Sequence, residues 1–241
     1  MASAPASSTW VVVPTYDEAD TIEPLVEAIR GTLEPAPGVL IVDDASPDGT
    51  GALADRLAER HEDVAVLHRP AKLGLGPAYL AGFRDVLDRG AELIVQMDAD
   101  FSHDPAEVAT LVSAARHADL VVGSRYVAGG RVTDWGPGRR AISRWGSRYA
   151  RAVLGMRVHD MTSGFKCWRR TALEGIDLDS VRSHGYAFQV EMTYHADAAG
   201  FTVVEVPITF RDRRVGESKM TGPIVAEAAV QVPRLRLRGR R

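Results

Sequence analysis

Asp98 and Asp100, one small residue apart in MDADFSHDP (97–105), follow directly on the apolar run Leu93, Ile94 and Val95. Like charges this close repel each other unless a cation sits between them. Carboxylate oxygens suit Mg²⁺ or Mn²⁺, which take one or two such ligands and leave positions open for substrate phosphates. Two more acidic pairs end apolar runs: Asp17 and Glu18 after WVVVP (10–14), and Asp43 and Asp44 after VLIV (39–42). Cations are interspersed with them. Lys72 begins the glycine-bearing KLGLGPAY, Arg125 follows DLVVGS (119–124), and RDRRVGESKM (211–220) reads as a mobile loop carrying Arg213 and Lys219. Other chemistries lack their residues. There is no G-x-x-x-x-G-K-[ST], and Tyr79 stands where a dinucleotide fingerprint needs glycine. No G-x-S-x-G is present, and His103, His159, His184 and His195 do not share zinc spacing.

The elements that would position these residues alternate along the chain. β-rich runs at 10–14, 39–44, 64–68, 93–98 and 119–124 are separated by helical patterns at 20–33, 50–60, 77–89 and 105–116. Such alternation predicts an α/β fold, with a mostly parallel central sheet flanked by helices. Ligands of open α/β sheets sit beyond the carboxyl ends of the strands, so the three acidic strand ends should converge on one polar, cation-binding rim. Asp48 and Asp104 read as helix caps. The second half is less regular: an Arg-rich helix near 139–155, a short strand at 164–168, a helix at 186–199 and an apolar run at 201–210. The expected organisation is a disordered lead-in over 1–9, one domain over 10–220, and a C-terminal helix with a basic tail over 221–241.

A net charge of −3 gives no global attraction to nucleic acid. A single cysteine, Cys167, rules out an intrachain disulfide framework and suits a reducing cytosol. The N-terminal MASAPASSTW lacks the features of a signal peptide, and no apolar run approaches the roughly 20 residues of a membrane span. The chain should therefore be soluble or rest on a membrane without crossing it. In GRRAISRWGSRYAR (138–151), Arg140, Arg144, Arg148 and Arg151 recur at three- and four-residue spacing. Ile142, Trp145, Tyr149 and Val153 form an apolar line beside them, a pattern that suits either a lipid headgroup surface or a helix docked on the domain with its arginines solvated. The basic tail RLRLRGRR (234–241) could touch anionic lipid or hang free, and by default is expected to hang free.

Taken in order, VVVPTYDEAD, VDDASPDGTG, KLGLGPAYLAGF, MDADFSHDP, GSRYVAGG, SGFKCWRR, GYAFQVEMTYHA and EVPITFRDRRVGESKM resemble the family-2 inverting glycosyltransferases of GT-A type. Within them the likeness is to the polyprenol-phosphate (dolichol-phosphate) mannose synthases. The resemblance implies that Pro14, Tyr16, Glu18, Val42 and Asp44 line a nucleotide pocket, with Lys72 and Ala99 also on the nucleotide sugar. Asp98 would face sugar and metal, and Asp100 would hold Mg²⁺ or Mn²⁺ under the pyrophosphate. Ser102 stands where some members carry a metal-ligating glutamine. Arg125, Arg139 and Ser143 match positions that grip a lipid phosphate, and Arg213 and Lys219 match a loop that closes on the phosphates. The implied reaction moves mannose from GDP-mannose to a polyprenyl monophosphate with inversion, on the cytoplasmic face of a membrane. The enzyme would be a peripheral form, or would depend on a membrane-embedded partner. Transfer of glucose from UDP-glucose and a non-catalytic nucleotide-sugar sensor stay open as alternatives. A phosphohydrolase fits less well, since Asp98 follows the fourth strand and not the first.

Overall fold

Apolar side chains alternate in the strands as a two-sided sheet demands. In β1 (Thr9–Thr15), Val11 and Val13 face one side and Val12 the other. β2 (Gly38–Asp43) is buried along its length: Leu40 and Val42 join Val12, while Val39 and Ile41 join Val11 and Val13. A period of two puts successive residues on opposite faces, and burial on both faces requires helices on both. The computed structural model describes residues 8–183, 185–212 and 231–237. Its seven-stranded sheet has the order β3 (Val64–His68), β2, β1, β4 (Leu93–Gln96), β7 (Lys166–Arg169), β5 (Leu120–Ser124), β8 (Val203–Pro207). β7 runs antiparallel to both neighbours, and the other pairings are parallel. A two-stranded ribbon, β6 (Arg131–Val132) with β9 (Thr209–Phe210), lies apart from this sheet.

α1 (Ile22–Arg30), α2 (Thr50–Arg60) and α4 (Val108–Ala114) cover the Val11 face through Leu25, Ile29, Leu57 and Leu111. α3 (Leu75–Asp88), α5 (Pro137–Leu154), α6 (Arg170–Glu174) and α7 (Gly185–Ala198) contribute to the core on the Val12 face, through residues such as Phe83, Leu154, Leu173 and Phe188. α3 approaches closely because position 82 is glycine: a Cβ there would fall 2.5 Å from Val12 Cγ1.

The expected strands and helices of the first half form within a few residues of their predicted spans. Asp104 accepts from the Ala106 N–H, as expected of a cap, whereas the N-cap of α2 is Gly49, and Asp48 stands one residue ahead of it, accepting from the Thr50 N–H. Three expectations change. The apolar run 201–210 divides between β8 and β9, after Pro207, which has no N–H for a ladder. The lead-in is shorter than nine residues: Thr9 opens β1, and the Ser8 carbonyl accepts from the N–H groups of Glu92 and Leu93. The start of the basic tail is docked, not free. Residues 231–237 are helical, Val232 and Leu235 are buried in the core, and Arg236 donates to the Val153 carbonyl. The boundary at 220/221 lies outside the described residues.

Candidate active site

Strand order reverses between β1 and β4, because β2 and β3 lie to one side of β1 and everything after β4 to the other. At such a switch point the two following loops part and leave a crevice. A cavity of about 370 Å³ opens there. Pro14, Tyr16 and Glu18 border it from the end of β1, Asp44 from the end of β2, and Asp98, Ala99, Asp100 and Ser102 from the end of β4. Lys72, Arg125 and Arg139 reach it from three further segments.

The acid-bearing loops are tightly wound. Asp17, Ala45 and Phe101, one in each, have φ of 59°, 56° and 57°. A non-glycine residue in the left-handed region costs energy and tends to cluster where function requires it. Four of the six predicted rim acids reach the cavity. Asp43 does not: it is 3% exposed and accepts hydrogen bonds from Ser46 Oγ (2.5 Å) and Thr15 Oγ1 (3.3 Å), so it fixes the turn. Asp17 is exposed outside the cavity, its N–H donating to Ser46 Oγ. Asp44 pairs with Arg69 and accepts from the Leu73 N–H at 3.2 Å. It thereby fastens the segment that carries Lys72, whose Nζ lies 3.5 Å from the centre of the Tyr16 ring. Val42 is a correction: its side chain is fully buried in the core against α3 and does not line the cavity.

Asp98 Oδ1 accepts from the Tyr79 hydroxyl at 2.8 Å. Tyr79 is completely buried, its ring stacked between Phe83 and Phe188 at 5.8 and 6.1 Å. Burial first, and the Asp98 charge second, push its phenol well above the usual range, so it remains a donor at neutral pH. Asp100, 6% exposed, accepts from the Ser102 N–H at 3.0 Å. His103 is 1% exposed, with its ring stacked on Phe165 at 4.9 Å and edge-on to Phe210. Burial lowers its pKa despite the nearby Asp98 and Asp100, and its Nδ1 has no hydrogen-bond partner among the described residues. Among those residues no three His, Cys, Asp or Glu groups are arranged to hold a metal alone. Asp98 and Asp100 instead fit a hard cation whose remaining ligands are oxygens of a bound substrate.

The basic side is already wired into the protein. The Arg125 guanidinium, 5% exposed, forms a bidentate pair with buried Asp160, both contacts at 2.7 Å, and also donates to Thr162 Oγ1. Arg139 stacks on Trp135 at 4.2 Å and donates to both Asp212 carboxylate oxygens. Ser143, expected beside them, does not line the cavity. It is buried on the inner face of α5 and accepts from the Tyr126 hydroxyl at 2.6 Å. Arg213 and Lys219 lie outside the described residues. Sequence reasoning gave no role to Tyr79, His103, Trp135, Gln189 or Phe210 here, although all but Tyr79 line the cavity and Tyr79 anchors Asp98.

This is the sheet and crevice of the GT-A-like glycosyltransferases. Glucosyl-3-phosphoglycerate synthase from Mycobacterium tuberculosis, solved with Mn²⁺, UDP-glucose and glycerol 3-phosphate, superposes with a TM-score of 0.66 at 19% identity. The match covers 98% of this chain and 80% of that one, a likeness of fold. Residues 10–177 match glycosyl transferase family 2, and the chain belongs to that family. It is 48% identical over 229 residues to the undecaprenyl-phosphate mannosyltransferase of Micrococcus luteus, covering 95% of this chain and 94% of that protein. It is also 48% identical over 238 residues to the polyprenol monophosphomannose synthase of Mycolicibacterium smegmatis, covering 98% of this chain and 89% of that protein.

Proposed function

We propose that this chain transfers mannose from GDP-mannose to a membrane polyprenyl monophosphate, with inversion at the anomeric carbon. What supports the reading is the pairing of Asp98 with Asp100 at the switch point, in a chain matched nearly end to end by two enzymes named for making mannosylated polyprenyl phosphates. The nucleotide lies along the end of β1, bordered by Pro14, Tyr16, Glu18 and Asp44. Lys72 supplies a charge to its phosphates. Asp98 and Asp100 would hold Mg²⁺ or Mn²⁺, with Ser102 nearby, and the ion would supply positive charge to offset what develops on the leaving diphosphate.

The acceptor is a phosphate monoester with a second pKa near ~6, largely anionic at neutral pH, so no strong general base is required. Arg139 and Arg125 orient it. Because Arg125 is held by Asp160, its contribution is a fixed donor direction more than a full positive charge. Among the described residues no helix is long and apolar enough to cross a membrane. The protein docks on the cytoplasmic face through α5, whose outer face exposes Ile142 and Trp145 beside Arg140, Arg144 and Arg148.

The test is a transfer assay with GDP-mannose or UDP-glucose, a polyprenyl phosphate in detergent, and Mn²⁺ or Mg²⁺. Mannolipid formed from GDP-mannose alone, and lost in Asp100→Ala, is the expected result. Glucolipid from UDP-glucose would reassign the donor. Donor binding without lipid product from either sugar would make the chain a nucleotide-sugar sensor.

A further inference from the structure

α7 is an apolar helix with three fully buried polar residues in alternation, Gln189, Glu191 and Thr193. Buried polar atoms are almost always hydrogen-bonded. Glu191 accepts from the Ser183 N–H at 2.8 Å, and Thr193 Oγ1 donates to the Gln189 carbonyl at 2.8 Å. Gln189 is different. It is 2% exposed and borders the cavity, and its Nε2 has no partner among the described residues.

Donor chemistry fixes which end of that amide faces the cavity. An indole N–H can only donate. Trp168 Nε1 donates to Gln96 Oε1 at 3.3 Å, so the amino end of Gln96 must point the other way, and it donates to Gln189 Oε1 at 2.8 Å. Lys166 Nζ, fully buried, donates to the same Oε1 and to the Gln189 carbonyl, each at 2.9 Å. Two donors from two strands therefore claim the amide oxygen, and the NH₂ group is left pointing outward. The direction it faces is kept open by a glycine. A Cβ at Gly164 would lie 3.6 Å from Gln189 Nε2 and 3.3 Å from Asp98 Oδ2, so the absence of a side chain leaves a gap bordered by both groups.

The geometry points to Gln189 as a specificity-determining residue: its amide N–H group donates to a hydroxyl oxygen of the donor's hexose, in the gap that Gly164 leaves beside Asp98. This rests on the reading of the cavity as a nucleotide-sugar site and adds the group that recognises the sugar. A site built to hydrogen-bond a hydroxyl discriminates strongly against a ligand that lacks it, because the buried group is left unpaired. The Trp168–Gln96–Gln189 relay and the Lys166 contact make the donor rigid, as discrimination requires.

Gln189→Glu tests this with little disturbance to packing. One carboxylate oxygen still accepts from Gln96 and Lys166, and only the outward amino group is exchanged for an oxygen. Calorimetric titration with Mn²⁺ present would compare GDP with GDP-mannose, and then with the 2-, 3-, 4- and 6-deoxy analogues of that donor. In the wild type, one deoxy analogue should lose about tenfold or more in affinity. In Gln189→Glu, the preference for GDP-mannose over GDP should fall by a similar factor, and the same deoxy analogue should bind no worse than the parent sugar. Gly164→Ala, which fills the gap and leaves the amide in place, should also weaken GDP-mannose more than GDP. An unchanged ratio of GDP-mannose to GDP affinity in Gln189→Glu would overturn the assignment, as would a deoxy penalty that persists in it. A wild-type protein that binds neither GDP nor GDP-mannose would instead overturn the nucleotide-sugar reading itself, and the inference with it.

Discussion

Tyr79 fixes one oxygen of Asp98 from a ring clamped between two phenylalanines, so the carboxylate's orientation is set before any ligand arrives. Removing the hydroxyl frees that carboxylate to rotate. Tyr79→Phe should lower turnover about tenfold, roughly 1.4 kcal/mol of barrier, with GDP affinity near wild type and folding stability changed by about 1 kcal/mol. Steady-state kinetics beside a thermal melt would check this, and unaltered turnover would show that Asp98 needs no such anchor. The contrast between Tyr79 and its partner explains what was readable at this scale. Asp98, Asp100, Glu18, Asp44 and Lys72 could be read from sequence because they directly follow apolar strands or stand in a glycine-bearing turn. Tyr79 and Gln189 sit on the buried faces of their helices among apolar neighbours, where a polar atom looks like one more core position. Only the strands packed against them reveal what their polar ends meet. Val42 and Ser143 erred in the opposite sense: each neighbours the cavity in sequence, but its side chain points into the protein.

At the scale of elements, α5 shows how a periodic pattern can be right in spacing and wrong in partition. Ile142, Trp145, Tyr149 and Val153 form one line along the helix, yet its ends differ: Tyr149 and Val153 pack against the core, while Ile142 and Trp145 are 50% and 71% exposed. The face that seats the helix is made of Ser143, Ser147, Ala150 and Leu154, small residues for most of its length. A large apolar residue turned outward among arginines has no role in the fold's own packing. Trp145→Glu should therefore leave thermal stability within about 0.5 kcal/mol and weaken co-sedimentation with anionic vesicles about tenfold or more. Equal sedimentation by both proteins would remove this helix from the membrane contact. The strand–helix alternation was legible because parallel strands buried on both faces read as continuous apolar runs. The division of 201–210 between two sheets was not, since it follows from where Ser124 and the ribbon strand β6 lie in space.

For the molecule as a whole, an ionisable amine is buried within the sheet. Lys166 is enclosed by β4, β5 and α7, and burial pushes its amine down to about 7 from an ordinary 10.5, against a smaller opposing pull from Asp160. Between those two values the unfolded chain binds the proton and the folded one does not, so stability rises with pH through that window. Below about 7 the penalty is present in full and changes little. Lys166→Met removes the penalty, so its melting temperature relative to wild type should be highest near pH 7 and decline towards pH 9.5. A constant offset across that range would mean the amine keeps its charge when folded.

The strand that carries this lysine also sets the order in which the sheet can be completed. β7 lies between β4 and β5, both of which precede it in the chain. Until it arrives, β4 lacks a neighbour on that side, and β5, whose other partner β8 begins at Val203, lacks one on both. The amine travels with that strand. Above pH 7 it is protonated in the open chain and mostly neutral once enclosed, so closing the sheet releases a proton to the solvent.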